Sequence, residues 1–189
     1  MSNTTDNSGK LFFQKRRHQY DKECAYHTYC NYIQRTYPII EFCKMNNRTL
    51  HKFYEFLWKQ GHPFLFIDKS VFHTFMTPVS SLPSGGINKS KVYPTNYFIC
   101  KDHHIYVVLY RNIRYVVLNS NMETMRFISG PQLYTELNDA DYVFIELNDK
   151  VVDIINQTMG DIYTKNEYYR IHCDAINNVI EMYKRMTKK

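Results

Sequence analysis

The chain has 189 residues, 24 Lys and Arg against 18 Asp and Glu for a net charge of +6, and a hydrophobic content of 44%. That length and that apolar content suit one domain folding alone around one core. Five cysteines (24, 30, 43, 100 and 173), odd in number and without a CxxC pair or a zinc-like spacing to the histidines, argue against a disulfide framework or a metal site. No cofactor is expected. The polar start, MSNTTDNSGK, holds no apolar segment for a signal peptide, and no run reaches the length of a membrane span, so the expected compartment is cytoplasmic or nuclear. Apart from Lys15-Arg16-Arg17 and Lys188-Lys189 the basic residues are scattered, which fits a solvated surface better than a nucleic-acid footprint. Heavy use of Asn, Lys, Tyr and Ile suits an AT-rich gene, as in a virus or a parasite.

Residues 1–10 read as a disordered tail, with Leu11-Phe12-Phe13 the first stretch able to anchor to a core. The segment Gln19 to Gln34, QYDKECAYHTYCNYIQ, follows as a loop that delivers Cys24 onto the first turn of a helix. Asp21 and Glu23 precede that turn, where negative charge is favoured, and Ala25, Tyr29, Tyr32 and Ile33 form the face to bury. A thiol at a helix start feels the positive end of the backbone dipole, which favours the nucleophilic thiolate. Cys24 is the candidate nucleophile. The competing reading is a buried cysteine acting as a small hydrophobe.

Tyr37-Pro38 marks a break, and a second helix is expected from about Asn47 to Gln60, with Leu50, Phe53, Tyr54, Leu57 and Trp58 on one face and Gly61 ending it. Phe64 to Ile67 fits a buried strand, and 80–86 is a turn-rich loop. Strands are expected at Tyr97 to Cys100, His104 to Tyr110 and Ile113 to Asn119. If Arg111-Asn112 is a two-residue turn, Tyr110 faces Ile113 and His104 faces Asn119. Facing side chains have Cβ atoms roughly 5 Å apart, within reach of an imidazole–carboxamide hydrogen bond. A histidine oriented by an asparagine and acting on a cysteine is the papain-like arrangement, and the order Cys, His, Asn along the chain agrees with it. His103 is the alternative ring, one residue of register away, and Asn119 without its partner, before Ser120-Asn121, reads as a turn residue. His27, one turn after Cys24, either touches the site or packs locally. Gly130-Pro131 starts a short helix through Leu137, Tyr142 to Leu147 reads as a strand, and 162–186 as a long helix with Tyr168, Ile171, Ala175, Val179, Met182 and Met186 turned to the core.

These residues resemble the Josephin family of papain-like cysteine proteases that remove ubiquitin. The resemblance rests on Gln19, Cys24-Ala25-Tyr26-His27, Asn31 and Gln34, then on Phe98-Ile99-Cys100, His104, Leu118-Asn119-Ser120 and Gly130-Pro131, and it extends to Tyr142-Val143-Phe144. It covers about 15–35 and 57–148. Ile105 stands where the family usually has Trp after the histidine, and the segment from Gln34 to Gly61 is much shorter than the family's helical arm. The resemblance implies an α+β fold with a central antiparallel sheet packed on helices, spanning 11–160, with 161–189 as a helix packed on that domain. It also implies Cys24 as nucleophile, His104 as general base and acid, Asn119 orienting His104, and Gln19 in the oxyanion hole. Its spacing selects His104 over His103. The expected activity is a cysteine isopeptidase hydrolysing the bond after the C-terminal glycine of ubiquitin or a ubiquitin-like modifier. The alternatives are a non-catalytic papain-like binding or structural module and a protease acting on ordinary peptide bonds.

Overall fold

The computed structural model describes residues 4–5, 11–12, 23–45, 49–69, 92–122, 125–163 and 167–188. The expected tail, Gln19 and the loop at 80–86 lie wholly or mostly outside them. Strand β1 (Thr4–Thr5) pairs antiparallel with β2 (Leu11–Phe12). Three helices follow: α1 (Cys24–Ile33), α2 (Ile39–Met45) and α3 (Leu50–Lys59). The main sheet comprises β3 (Phe64–Asp68), β4 (Tyr97–Lys101), β5 (His104–Arg111), β6 (Arg114–Leu118), β7 (Arg126–Ile128) and β8 (Tyr142–Glu146). Helix α4 (Gly130–Asp139) lies between β7 and β8, and α5 (Asp149–Ile162) and α6 (Glu167–Thr187) close the chain.

The six strands are antiparallel throughout, in the order β3-β8-β4-β5-β6-β7. Both sheet faces are covered, so each strand divides its side chains between two cores. Phe98, Cys100, Ile105, Val107, Leu109, Val116, Leu118 and Phe144 pack with the α1–α3 layer, and Tyr97, Ile99, Val108, Tyr115, Val117, Val143 and Ile145 with α4, α5 and α6. The first core is aromatic: Phe98 meets Phe53, Phe64 and Tyr32 with ring centroids 5.3, 4.9 and 5.2 Å away. Each such ring contributes about 1.5–3 kcal/mol through burial alone. The architecture is the expected α+β class, with a main antiparallel sheet packed on helices. No helix among the described residues is long and apolar enough to cross a membrane.

Local chemistry fixes the element ends. Thr49 caps α3 by accepting from Lys52 N at 3.1 Å, and the chain leaves that helix through Gly61 at φ +81°, a conformation glycine takes freely. Ser129 and Gln132 form a capping box at α4, with Pro131 in its first turn. Asn148 caps α5 by accepting from Val151 N. Helix α1 is buried continuously from Tyr26 to Tyr32. The amphipathic stripe expected of it is therefore only part of its contact surface, with Ala25 and Ile33 half-buried at its ends.

The β5–β6 turn and the buried face of α6 differ from the sequence expectation, α6 begins at Glu167 and not at Ile162, and α2, β7 and α5 are additions to it. The β5–β6 turn is Asn112-Ile113, with Arg111 opposite Arg114 and Tyr110 opposite Tyr115, so the ladder is displaced by two residues from the expected one. Asn112 and Ile113 have φ of 52° and 65°, the positive values that a type I′ turn demands at both positions, and asparagine favours the first of them. Burial could not discriminate here, because a displacement of two leaves every side chain on its original face. In α6 the buried stripe is Cys173, Ile176, Ile180 and Tyr183, whereas Tyr168, Ile171, Met182 and Met186 are exposed. The helix carries two adjacent apolar stripes. Tyr183, whose hydroxyl donates to Asp149 Oδ1 at 2.8 Å, belongs to the one that docks on α5.

Candidate active site

Cys24 is the first residue of α1, half-buried, with the Glu23 carbonyl accepting from His27 N to close the first turn. The end of the β4–β5 hairpin faces it. That hairpin turns through Asp102 and His103, both at positive φ (50° and 62°), and His104 is the first residue of β5, opposite Lys101. The turn is held by the Asp102 N–H, which donates to Asp141 Oδ2 at 3.1 Å, and by a Lys101–Asp139 ion pair.

His104 bonds Asn119: Nε2 lies 2.7 Å from Oδ1, so that Nδ1 is the second ring nitrogen, and the ring is near enough to Cys24 to lower its pKa. The expected pair is present, but not by direct opposition. Pairing of β6 ends at Leu118 opposite Val107, and Asn119 begins a turn in which its Oδ1 also accepts from Asn121 N at 3.0 Å and its carbonyl from Met122 N at 3.0 Å. In the observed register Asn119 is a diagonal neighbour of His104 on the same face, a separation that side chains of this length span. Asn119 is thus both a turn residue and the partner of His104.

The early end of β6 has a second effect. Hydrogen-bonding residues alternate along an antiparallel pair, and Ile105, not bonded to β4, points its N–H and C=O toward the place a longer β6 would fill. The start of α1 occupies that place. The Thr28 hydroxyl, fully buried one turn after Cys24, donates to the Ile105 carbonyl at 2.8 Å, and the Ile105 N–H lies on the Cys24 side, where it lowers the pKa of the thiol.

Burial pushes the Cys24 thiol up, but the His104 hydrogen bond, the Ile105 N–H, the charge on His104 and the Ala25 N–H together outweigh it and bring the thiol below its ordinary value. Cys100, in the same cleft, goes the other way. Burial drives it well up, with the charges of Cys24 and Asp141 adding. Burial also raises Cys173. The two cleft thiols are thereby separated, Cys24 toward thiolate and Cys100 toward inert thiol.

The cleft in front of Cys24 has a volume of about 710 Å³; Leu50 and Phe53 line one wall, His103, His104 and Ile105 another, and Asp68, Lys69, Lys101 and Asp141 add charge. It can hold an extended chain segment against the thiol. Behind His104, Tyr106 stacks on the ring at 6.4 Å and 22°, its hydroxyl donating to Glu136 Oε2 at 2.8 Å while Arg126 pairs with Oε1 at 2.7 Å. Sequence reasoning missed Thr28, Tyr106, Glu136 and Arg126. The i+4 spacing of Thr28 from Cys24 was the available signal for the first, and nothing local marked the others.

Of the sequence-predicted residues, Cys24, His104 and Asn119 come together. His103 sits exposed on the turn and lines the cleft without being the ring paired with Asn119. His27 is buried against Tyr26, with ring centroids 5.4 Å apart. Among the described residues no group of three His, Cys, Asp or Glu side chains is placed to hold a metal ion. No protein-family model matches the chain, and no curated protein matches it.

Proposed function

We propose that the protein is a cysteine isopeptidase of papain-like fold, similar to the Josephin deubiquitinases, that hydrolyses the bond after the C-terminal glycine of ubiquitin or a ubiquitin-like modifier. The Cys24 thiolate attacks the glycine carbonyl carbon, and the His104 imidazolium gives its proton to the departing lysine amine. A thioester then links the glycine to Cys24. Water attacks it with His104 taking the proton, and the carboxylate and free thiol are released. Asn119 holds His104 by Nε2, which leaves Nδ1 to exchange the proton with the sulfur. The Cys24 main-chain N–H, in the first turn of a helix and so without an intrahelical acceptor, is one oxyanion donor. Gln19, carried over by resemblance, is the other, and one such donor is worth about 3 kcal/mol.

The observation that carries the reading is the His104–Asn119 bond at 2.7 Å directed at a helix-start thiol that is held below its ordinary pKa. The substrate class rests on the motif resemblance around Gln19, Cys24 and His104. The test is hydrolysis of a ubiquitin C-terminal fluorogenic amide by the full chain and by Cys24→Ala. Turnover by the first and none by the second is expected. Equal turnover by both removes Cys24 from the chemistry.

A further inference from the structure

We infer that Thr28 is a positioning residue for the nucleophile: its buried hydroxyl clamps α1 to the unpaired end of β5, and the clamp presents the Ile105 main-chain N–H to the Cys24 sulfur. The ladder of β6 stops opposite Val107, so the Ile105 N–H and C=O are left without a strand partner. Two groups on one face of α1, a turn apart, stand against them: Thr28 Oγ1 donates to the carbonyl at 2.8 Å, and Cys24 stands on the side of the N–H, which lowers its pKa. A helix lying on a sheet by apolar contacts alone can slide along it by fractions of an ångström, because such contacts are non-directional. A hydrogen bond between a fully buried hydroxyl and a buried main-chain carbonyl does not tolerate that, since slippage leaves the carbonyl unpaired. Tyr32, two turns beyond Cys24 on α1, is tied to Glu146 of β8 at 2.7 Å, so at the Cys24 end the Thr28 bond sets the height of the thiol over His104 and the alignment of the N–H that stabilises its thiolate.

This inference rests on the reading of Cys24 as nucleophile but not on the identity of the substrate. The test accordingly reads the thiol itself. Alkylation of the full chain by iodoacetamide is followed from pH 5 to pH 10 and resolved peptide by peptide, with exposed Cys43 as the internal reference. Thr28→Val removes the hydroxyl at nearly constant volume, and Thr28→Ser keeps it. The expected result is a Cys24 profile whose midpoint moves up by about one pH unit in Thr28→Val, with a roughly tenfold lower rate at pH 6, an unchanged high-pH plateau and unchanged Cys43. Thr28→Ser follows the wild type. A folded Thr28→Val whose Cys24 profile superimposes on the wild type overturns the inference.

Because Thr28→Val could fail to fold, the wild type supplies a second measurement. The Ile105 amide resonance is expected to titrate in step with the Cys24 thiol and to lose that step in Cys24→Ala. An Ile105 amide that does not sense the thiol overturns the inference equally. A protein that fails to hydrolyse any ubiquitin reporter yet shows these shifts retains the clamp and loses only the proposed substrate.

Discussion

Replacing Asn119 by alanine removes the hydrogen bond that orients His104. Asn119 Oδ1 accepts from two donors, His104 Nε2 at 2.7 Å and the main-chain N–H of Asn121 at 3.0 Å. Asn121 is exposed, so its N–H gains water when the carboxamide is lost and costs little. His104 is half-buried, and a hydrogen bond to an ionised partner is worth about 1.5–3 kcal/mol, so the imidazolium form loses that much. In the proposed mechanism the imidazolium stabilises the Cys24 thiolate and later donates the leaving-group proton, so the loss reappears in the barrier, at about tenfold per 1.36 kcal/mol. Asn119→Ala is expected to lower kcat by roughly 10- to 150-fold on a ubiquitin C-terminal reporter. The alkylation midpoint of Cys24 should move upward as well, because the charge of His104 is one of the influences holding it down. The sign is fixed: weakening the cation raises the acid's pKa. Stability should fall by only about 1 kcal/mol, as for one ordinary side-chain hydrogen bond. An Asn119→Ala protein with wild-type kcat and an unmoved Cys24 midpoint would refute the orientation role.

Other consequences are spread across the fold. Ile113 is 86% exposed at φ 65°, where a β-branched side chain costs about 1–2 kcal/mol. After glycine's entropy loss, Ile113→Gly should stabilise by about 1 kcal/mol and raise Tm by about 2–4 °C in a thermal melt. Glu146 accepts from Tyr32 at 2.7 Å and from Asn96 at 2.7 Å, and Glu146→Ala, which strands both donors, should cost about 2–4 kcal/mol in urea unfolding with little change in Cys24 alkylation. Burial raises Glu146 above its usual carboxylate value, so its charge opposes folding. That penalty is fully present above the folded pKa and relieved as pH falls toward the unfolded value near 4.3, so Glu146 alone makes the protein gain stability on mild acidification. Tyr106→Phe breaks the bond to Glu136 at 2.8 Å while keeping the ring against His104, and is expected to lower kcat by less than tenfold with KM unchanged.

The sequence was legible where pattern and chemistry agreed. Cys24 before a helical stripe, Phe64 and Tyr142 opening β-rich runs, and Gly130-Pro131 opening a helix all stand where periodicity and capping put them. The site was legible because Cys24 begins a helix and because His104 and Asn119 share a sheet face under either hairpin register. The error lay in the turn: reading asparagine as the second turn residue ignored that a type I′ turn favours it at the first. For α6, two apolar stripes occupy one helix, and only the packing partners, α5 and the sheet, decide which is buried. Thr28 was invisible for a related reason. Its role exists because β6 is shorter than β5, a tertiary fact that its neighbours in the chain do not encode.

Under the proposed function, Cys24, His104 and Asn119 form a working thiol site for a ubiquitin-like C-terminus. The most direct measurement is intact mass after incubating the wild type and Cys24→Ala with ubiquitin carrying a thiol-reactive C-terminal group. A single ubiquitin adduct is expected on the wild type, mapped to Cys24, and none on Cys24→Ala. An adduct of equal yield on both proteins, or no adduct on a wild type whose Cys24 alkylates readily, would contradict it.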